Sequence, residues 1–247
     1  LNCEFCQNWE ISKDRPKVIK HVMPQQLIQI ATERKSKGIA FTYNEPIVSF
    51  EFILDTSRAA SKEGIYSVLV TNGVIEREPM ELLAQSMRAM NIDIKGWNDD
   101  FYKKEIGTDK ANVLRSIEIA LKSGVHMELT TLIIPGKNDS PEEMEEEALW
   151  IKNLSPDIPL HINRYFPNYH YTAPATEVES LLELASKAKE HLNYVYVGNV
   201  ALEGYNDTLC PNCGNLLVER RDYNVVVSGV DEKGRCTSCQ REISLVF

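Results

Sequence analysis

Tyr66-Ser67-Val68-Leu69-Val70-Thr71-Asn72-Gly73 decides how this 247-residue chain folds. A short β-favouring run bounded by an Asn-Gly turn reads as a buried strand that delivers polar groups at its carboxyl end. The same unit recurs on both sides of it. Apolar, β-rich runs lie at 39–43, 90–94, 125–134, 160–163 and 194–197, and helical patterns at 24–37, 46–63, 78–89, 109–123, 141–154 and 177–191. Strand and helix in alternation predict parallel strands joined by helical crossovers.

Boundary chemistry supports the spacing. Ser140-Pro141-Glu142-Glu143 reads as a capping box with proline at the first helical position, and Thr176-Glu177-Val178-Glu179 repeats the box. Gly38, Gly64 and Gly124 stand where helices should stop. Six strands fall short of a closed eight-stranded barrel, so the predicted fold is α/β, an open partial (β/α)6-type TIM barrel lacking its first strand. Such a barrel has one unpaired edge prone to association. After Gly198 the pattern changes to two short strands, 216–219 and 223–227, set among cysteine knuckles. The expected domains are therefore 1–203, the partial barrel, and 204–247, a zinc-ribbon-like or rubredoxin-like module.

All six cysteines sit in Cys-x-x-Cys pairs. Cys210, Cys213, Cys236 and Cys239 supply the four thiolates of a tetrahedral site, zinc by preference, with a rubredoxin-like iron offering the same ligand set. The two pairs are separated by 22 residues, slightly more than usual, and Gly214, Gly229 and Gly234 provide turns to absorb the excess. Cys3 and Cys6 are then too few for a site of their own. Cysteines at such short spacing suit an iron-sulfur cluster, which predicts a further ligand upstream of Leu1 and a chain that is a fragment.

Composition excludes other classes. A formal charge of -9 opposes binding to nucleic-acid phosphates, and the basic stretch at 13–20 reads as a solvated loop. No run of about eighteen apolar residues is present, so no membrane span is expected. Paired cysteines in a chain otherwise free of them indicate metal ligation in a reducing compartment, the cytoplasm.

Polar clusters fall where the strands end: Thr42-Tyr43-Asn44-Glu45, Thr71-Asn72-Gly73, Asp93-Ile94-Lys95, 135–139 and Asn163-Arg164. Each alone has a structural explanation. Glu45 favours the positive end of the following helix, Thr-Asn-Gly is a turn, and Asp93 with Lys95 is an ion pair at period two. Their joint placement on the carboxyl rim, the active face of βα barrels, argues for a site.

Leu1-Asn2-Cys3-Glu4-Phe5-Cys6 resembles the tail of the radical S-adenosylmethionine signature, Cys-x-x-x-Cys-x-aromatic-Cys, with Phe5 in the aromatic slot and the first cysteine two residues before Leu1. Asn44-Glu45-Pro46, Thr71-Asn72-Gly73, Asp93-Ile94-Lys95 and Pro135-Gly136-x-Asn138-Asp139 extend the similarity to the pyruvate formate-lyase activating enzymes. Gln7 to Ser12, His161 to Pro167, Tyr194 to Asn199 and the double knuckle look like the AmmeMemoRadiSam-system radical enzymes, over essentially the whole chain.

The resemblance implies a 4Fe-4S cluster on Cys3, Cys6 and the upstream cysteine, with S-adenosylmethionine chelated to the open iron and cleaved reductively to abstract hydrogen. It further implies that Glu45 accepts from the cofactor's ammonium, that Thr71 and Asn72 bond its ribose or amino-acid part, and that Asp93 and Lys95 address its carboxylate. Asn44 stands where the family has the second glycine of a Gly-Gly-Glu motif. Lys95, His161 and Arg164 are the catalytic candidates, and a flavodoxin-type or ferredoxin-type electron donor and a protein substrate are the expected partners. Two alternatives use the same residues: activation of a glycyl-radical enzyme, or a non-catalytic, metal-stabilised interaction protein. Residues 1–247 alone are expected to hold one metal ion at the C-terminal cysteines and no stable cluster.

Overall fold

A computed structural model of the chain describes residues 1, 3–14, 20–221 and 224–244. Asn2 of the cysteine motif, residues 15–19 of the basic stretch and Tyr223 of the expected second ribbon strand lie outside the described residues.

The six strands expected from sequence are present: β1 (Gly38–Phe41), β2 (Tyr66–Thr71), β3 (Ala89–Asp93), β4 (His126–Ile133), β5 (Leu160–Arg164) and β6 (Val195–Gly198). They form one parallel sheet in sequential order, with Gly38 opposite Tyr66, Val68 opposite Ala89 and Leu160 opposite Val195. The helices are α1 (Trp9–Ser12), α2 (Pro24–Glu33), α3 (Phe50–Lys62), α4 (Arg77–Ala84), α5 (Asp99–Phe101), α6 (Lys110–Lys122), α7 (Pro141–Leu154) and α8 (Val178–Lys189). Three further strands, β7 (Thr208–Leu209), β8 (Leu216–Arg221) and β9 (Asn224–Val227), make a separate antiparallel sheet. Among the described residues no helix is long and apolar enough to cross a membrane.

Several boundaries differ from expectation, each for a local reason. α2 ends at Glu33 rather than 37, and the left-handed residue behind it is Lys35 (φ 53°), not Gly38. Gly38 belongs to β1, where an added Cβ would lie 3.1 Å from the Tyr66 carbonyl oxygen, so close strand approach is what the glycine permits. Gly64 and Gly124 do follow helices in left-handed conformation. The pattern at 46–63 opens with a 3-10 turn, Pro46–Ser49, whose cap Glu45 accepts from the Ile47 N–H. Ser140 caps α7 as expected, accepting from Glu143 N at 3.2 Å.

The second capping box is not formed. Thr176 is 1% exposed, and its hydroxyl accepts from Tyr165 N at 3.0 Å while donating to Ile133 O at 2.7 Å. Satisfying two buried backbone groups outweighs a helix cap, worth roughly 1 kcal/mol, and Glu177 takes the cap position.

By internal contacts the chain divides into two compact units, Leu1–Leu129 with Pro167–Ala173, and Thr130–Phe166 with Pro174–Phe247. The first buries Leu69, Met90, Ile92 and Ile94 as well as Ile53, Met80, Leu83 and Ile117. The second buries Leu160, Ile162 and Val197 with Ile151, Leu181 and Leu184, and contains a further cluster of Cys210, Leu217, Val218, Cys236 and Ile243. The change from parallel to antiparallel strands falls between Gly198 and Thr208, inside this second unit.

Candidate active site and metal centre

In the first unit the ends of β1, β2 and β3 carry one connected polar constellation. Its centre is the Glu45 carboxylate. Oε1 accepts from the Thr71 hydroxyl at 2.5 Å and from Ile47 N at 3.3 Å, and Oε2 accepts from Asn72 N at 2.9 Å. Thr71, 2% exposed, also accepts from Gly73 N at 3.1 Å, and the Asn72 side chain accepts from Val74 N at 2.9 Å. Gly73 is required here, because its φ is 70° and a Cβ would meet Ile92 Cγ2 at 2.9 Å.

Asp93 and Lys95 form the ion pair that period two predicts, Oδ2 to Nζ 2.6 Å. Burial alone would push Lys95 down, but Asp93, Cys3 and Glu45 outweigh it and hold the ammonium above its usual range. Its backbone N–H donates to the Tyr102 hydroxyl at 2.9 Å. Tyr102 is fully buried and opens a π-helical turn, Tyr102–Ile106, closed by left-handed Gly107.

The cysteine loop adjoins this constellation. Burial raises the Cys3 thiol, with the Lys95 ammonium acting in the opposite sense. Phe5, in the aromatic slot, is buried and stacks on Phe101 at 6.1 Å. Cys6 Sγ lies 3.4 Å from the Ser12 hydroxyl on α1. Asn44 is half of the tether that holds α1: its Oδ1 accepts from Glu45 N at 2.8 Å and its Nδ2 donates to Ile11 O at 3.3 Å. Glu4 O accepts from His170 N and Tyr171 N at 2.9 and 3.1 Å, and Trp9 stacks on Tyr169 at 5.8 Å.

Thus Cys3, Phe5, Cys6, Asn44, Glu45, Thr71, Asn72, Asp93 and Lys95 share the first unit. His161 and Arg164 lie on β5 in the second. His161 stacks on Tyr196 at 5.2 Å. Arg164 donates through Nε to Thr176 O at 2.7 Å, its guanidinium over the Phe166 ring. Sequence reasoning missed Ser12, Tyr102 and Phe101. Ser12 closes the stretch 7–12 singled out in the sequence, but nothing there pointed to its contact with Cys6, and for the other two the advance signal was the aromatic pair Phe101-Tyr102 close behind the Asp93–Lys95 cluster.

In the second unit the Sγ atoms of Cys210, Cys213, Cys236 and Cys239 all lie within 4.8 Å of one another. Such a soft, convergent set can hold a metal ion.

A parallel βα sheet with a cysteine loop, an ammonium and carboxylates gathered beside its strand ends defines an α/β protein with one polar candidate face. The chain belongs to the Radical SAM superfamily, whose profile matches residues 1–149. It is 40% identical over 253 residues to Uncharacterized protein MJ0808 of Methanocaldococcus jannaschii, all of this chain against 75% of that protein. It is 26% identical over 153 residues to the pyruvate formate-lyase 1-activating enzyme of Escherichia coli K12, 58% of this chain and 60% of that enzyme. The fold is like that of a domain of pyruvate-formate lyase-activating enzyme from Bacteroides vulgatus, with TM-score 0.55 at 14% identity over 66% of this chain and 99% of that one. It is also like Streptococcus suis SuiB bound to its precursor peptide SuiA, with TM-score 0.63 at 15% identity over 81% and 46%.

Proposed function

We propose that this chain is the cofactor-binding body of a radical enzyme in which Cys3 and Cys6 contribute ligands to a 4Fe-4S cluster. The observation that carries the reading is the junction of the Cys3 thiol, the Lys95–Asp93 pair and the Glu45 carboxylate at adjacent strand ends. With S-adenosylmethionine bound, such a cluster supplies reductive cleavage of the sulfonium carbon-sulfur bond and hydrogen abstraction from a substrate.

The residues fit that pair of groups. Glu45 accepts three hydrogen bonds and a carboxylate has about four lone-pair sites, which leaves room for an ammonium donor. Lys95, charged and braced by Asp93, offers a counter-charge to a carboxylate. Phe5 packs the loop between the two cysteines against Phe101 and excludes water from that side.

The test is anaerobic reconstitution of the full-length chain. Cluster absorbance and formation of 5'-deoxyadenosine on reduction are expected, and a fully loaded cluster without that product would sink the reading. An electron donor of flavodoxin or ferredoxin type is part of the proposal. A second reading, activation of a glycyl-radical enzyme, draws on relatives named as activating enzymes for pyruvate formate-lyase and isethionate sulfite-lyase. A glycyl-radical doublet in the paramagnetic spectrum of a partner protein distinguishes it.

Ser12 has a defined part in this reading. A metal-bound sulfur is a thiolate and accepts, so in the Cys6–Ser12 contact the hydroxyl donates. A donor to the ligand sulfur favours the more negative, reduced state. Ser12→Ala is therefore expected to lower the cluster's midpoint potential by about 59 mV, roughly tenfold in the one-electron equilibrium. A spectroelectrochemical titration that finds the potential unchanged removes Ser12 from this role.

A further inference from the structure

We infer that Cys210, Cys213, Cys236 and Cys239 form a closed structural zinc site, and that the bound ion fixes the end of β6 through the Tyr196–Thr208 hydroxyl pair. The inference is independent of the radical chemistry proposed above.

The sulfur geometry comes first. Cys210 Sγ lies 3.6 Å from Cys239 Sγ, and Cys213 Sγ 3.7 Å from Cys236 Sγ. A tetrahedron with Zn–S bonds of about 2.3 Å has sulfur-sulfur edges of about 3.8 Å. These close pairs join opposite knuckles rather than the two cysteines of one Cys-x-x-Cys, which is the interleaving a central ion produces and a local disulfide does not.

The two knuckles also repeat one backbone design. Cys210 N donates to Asn215 O and Gly214 N to Cys210 O, both at 2.8 Å; Cys236 N donates to Arg241 O at 2.8 Å and Gln240 N to Cys236 O at 2.9 Å. Gly214 (φ 72°) and Gln240 (φ 62°) occupy equivalent left-handed positions. Backbone N–H groups of Asn215, Ser238, Cys239 and Arg241 point at the sulfurs, as charge-bearing thiolates require. With four thiolates no coordination position is left for water or substrate, so the site is structural. Thiolate softness together with the Irving–Williams order favours zinc over ferrous iron.

The ion has much to organise. The apolar cluster of the ribbon consists of the two cysteines Cys210 and Cys236 plus Leu217, Val218 and Ile243. Among the described residues these three aliphatic side chains, with the partly buried Val230 packed on them, are a small core for the module, and metal binding adds to its ordering energy.

The ordered ribbon then grips β6. Thr208 Oγ1 is 2.8 Å from Tyr196 Oη and accepts from Arg220 Nη1 at 2.7 Å; Arg220 also donates to Asn206 O and lies over the Tyr196 ring. Arg241, just past the second knuckle, pairs with Asp157 at 3.5 Å. Tyr196 in turn stacks on His161. The ion thus acts on β5 and β6 indirectly, through Thr208, Arg220 and Tyr196.

The test uses the full-length protein. Elemental analysis should find one zinc per chain besides any cluster iron. Reversible removal by a chelator, and separately Cys236→Ser, should raise amide exchange at 195–198 and 205–221 at least tenfold, with re-added zinc restoring the chelated sample. Thr208→Val should keep the zinc but raise exchange at 196–198 alone. Iron retained at these cysteines when both metals are supplied, or unchanged exchange in β6 after zinc removal, overturns the inference. Should Cys236→Ser fail to fold, the chelation cycle and Thr208→Val decide it.

Discussion

Gly229→Ala is expected to open the C-terminal ribbon while leaving the first unit intact. A Cβ at Gly229 would lie 2.0 Å from the Leu216 carbonyl oxygen and 2.7 Å from Leu217 Cα, and both obstacles are backbone. Neither can turn aside as a side chain does. Ser228 N and Gly229 N both donate to Leu217 O at 3.2 Å, and Gly229 O accepts from Thr237 N at 3.0 Å. The glycine therefore crosses directly over β8 on its way to the second knuckle, and moving it displaces Cys236. The cost belongs at the upper end of overpacking, about 3 kcal/mol. Gly214→Ala is the control, since its φ is 72° but nothing lies within 4 Å of the added Cβ. That change should cost only about 1 kcal/mol, the left-handed penalty. Amide exchange across β7–β9, with metal content as a second readout, checks the contrast. Equal protection in the two variants would mean that close approach is not what the glycine serves.

Much of the fold could be read from the sequence because its signals are local and repeated. β2, β3 and β4 each alternate buried and less buried residues, and amphipathic helices α4, α6 and α7 come behind them in the chain. What could not be read is short or borrowed. α1 and α5 span four and three residues, below the length at which a period of 3.6 registers. Thr176 and Glu179 match a capping box, yet the threonine hydroxyl is captured by two backbone groups, one of them 43 positions away. Lys35 and Gln240 adopt the left-handed backbone where a glycine would be expected, so a search for glycine alone misplaces the first of these turns.

The candidate site divides in the same way. Its members could be named one at a time, because each closes a predicted strand, and the Asp93–Lys95 pair follows from period two. Their coupling could not. Thr71 and Glu45 are 26 positions apart, and only folding shows that the threonine hydroxyl is spent on the carboxylate. Asn44 has an analogous history. At a position where the resembled motif has glycine it supplies an amide that reaches Ile11, and so ties α1 and the Cys6–Ser12 contact to the end of β1.

Glu45→Gln is expected to destabilise the first unit by about 3 kcal/mol, although it keeps the shape of the side chain. Three donors converge on the carboxylate: the Thr71 hydroxyl and Ile47 N on one oxygen, Asn72 N on the other. A glutamine amide has one acceptor oxygen, and its NH2 group must face either Asn72 N–H or the Thr71 and Ile47 donors. Whichever way it turns, a donor meets a donor. Bonds to a charged acceptor contribute about 1.5–3 kcal/mol each, and an orphaned buried partner costs about 1–3 kcal/mol. At about 2–4 °C per kcal/mol for a domain of this size, Tm should fall by about 6–12 °C. Under the proposed function the same change removes the anionic acceptor for the cofactor's ammonium, so calorimetric binding of S-adenosylmethionine to the cluster-loaded protein should be lost as well. Thr71→Val separates the two effects: the hydroxyl is already engaged by Glu45 and Gly73 N rather than free for the cofactor, so its loss removes those bonds and leaves the charge, and Tm should drop while cofactor binding persists. If Glu45→Gln melts like the parent, the bracket is not what holds the β1 and β2 ends together. If it melts early but binds the cofactor undiminished, Glu45 is a structural strut and the ammonium site must be sought elsewhere on the same rim.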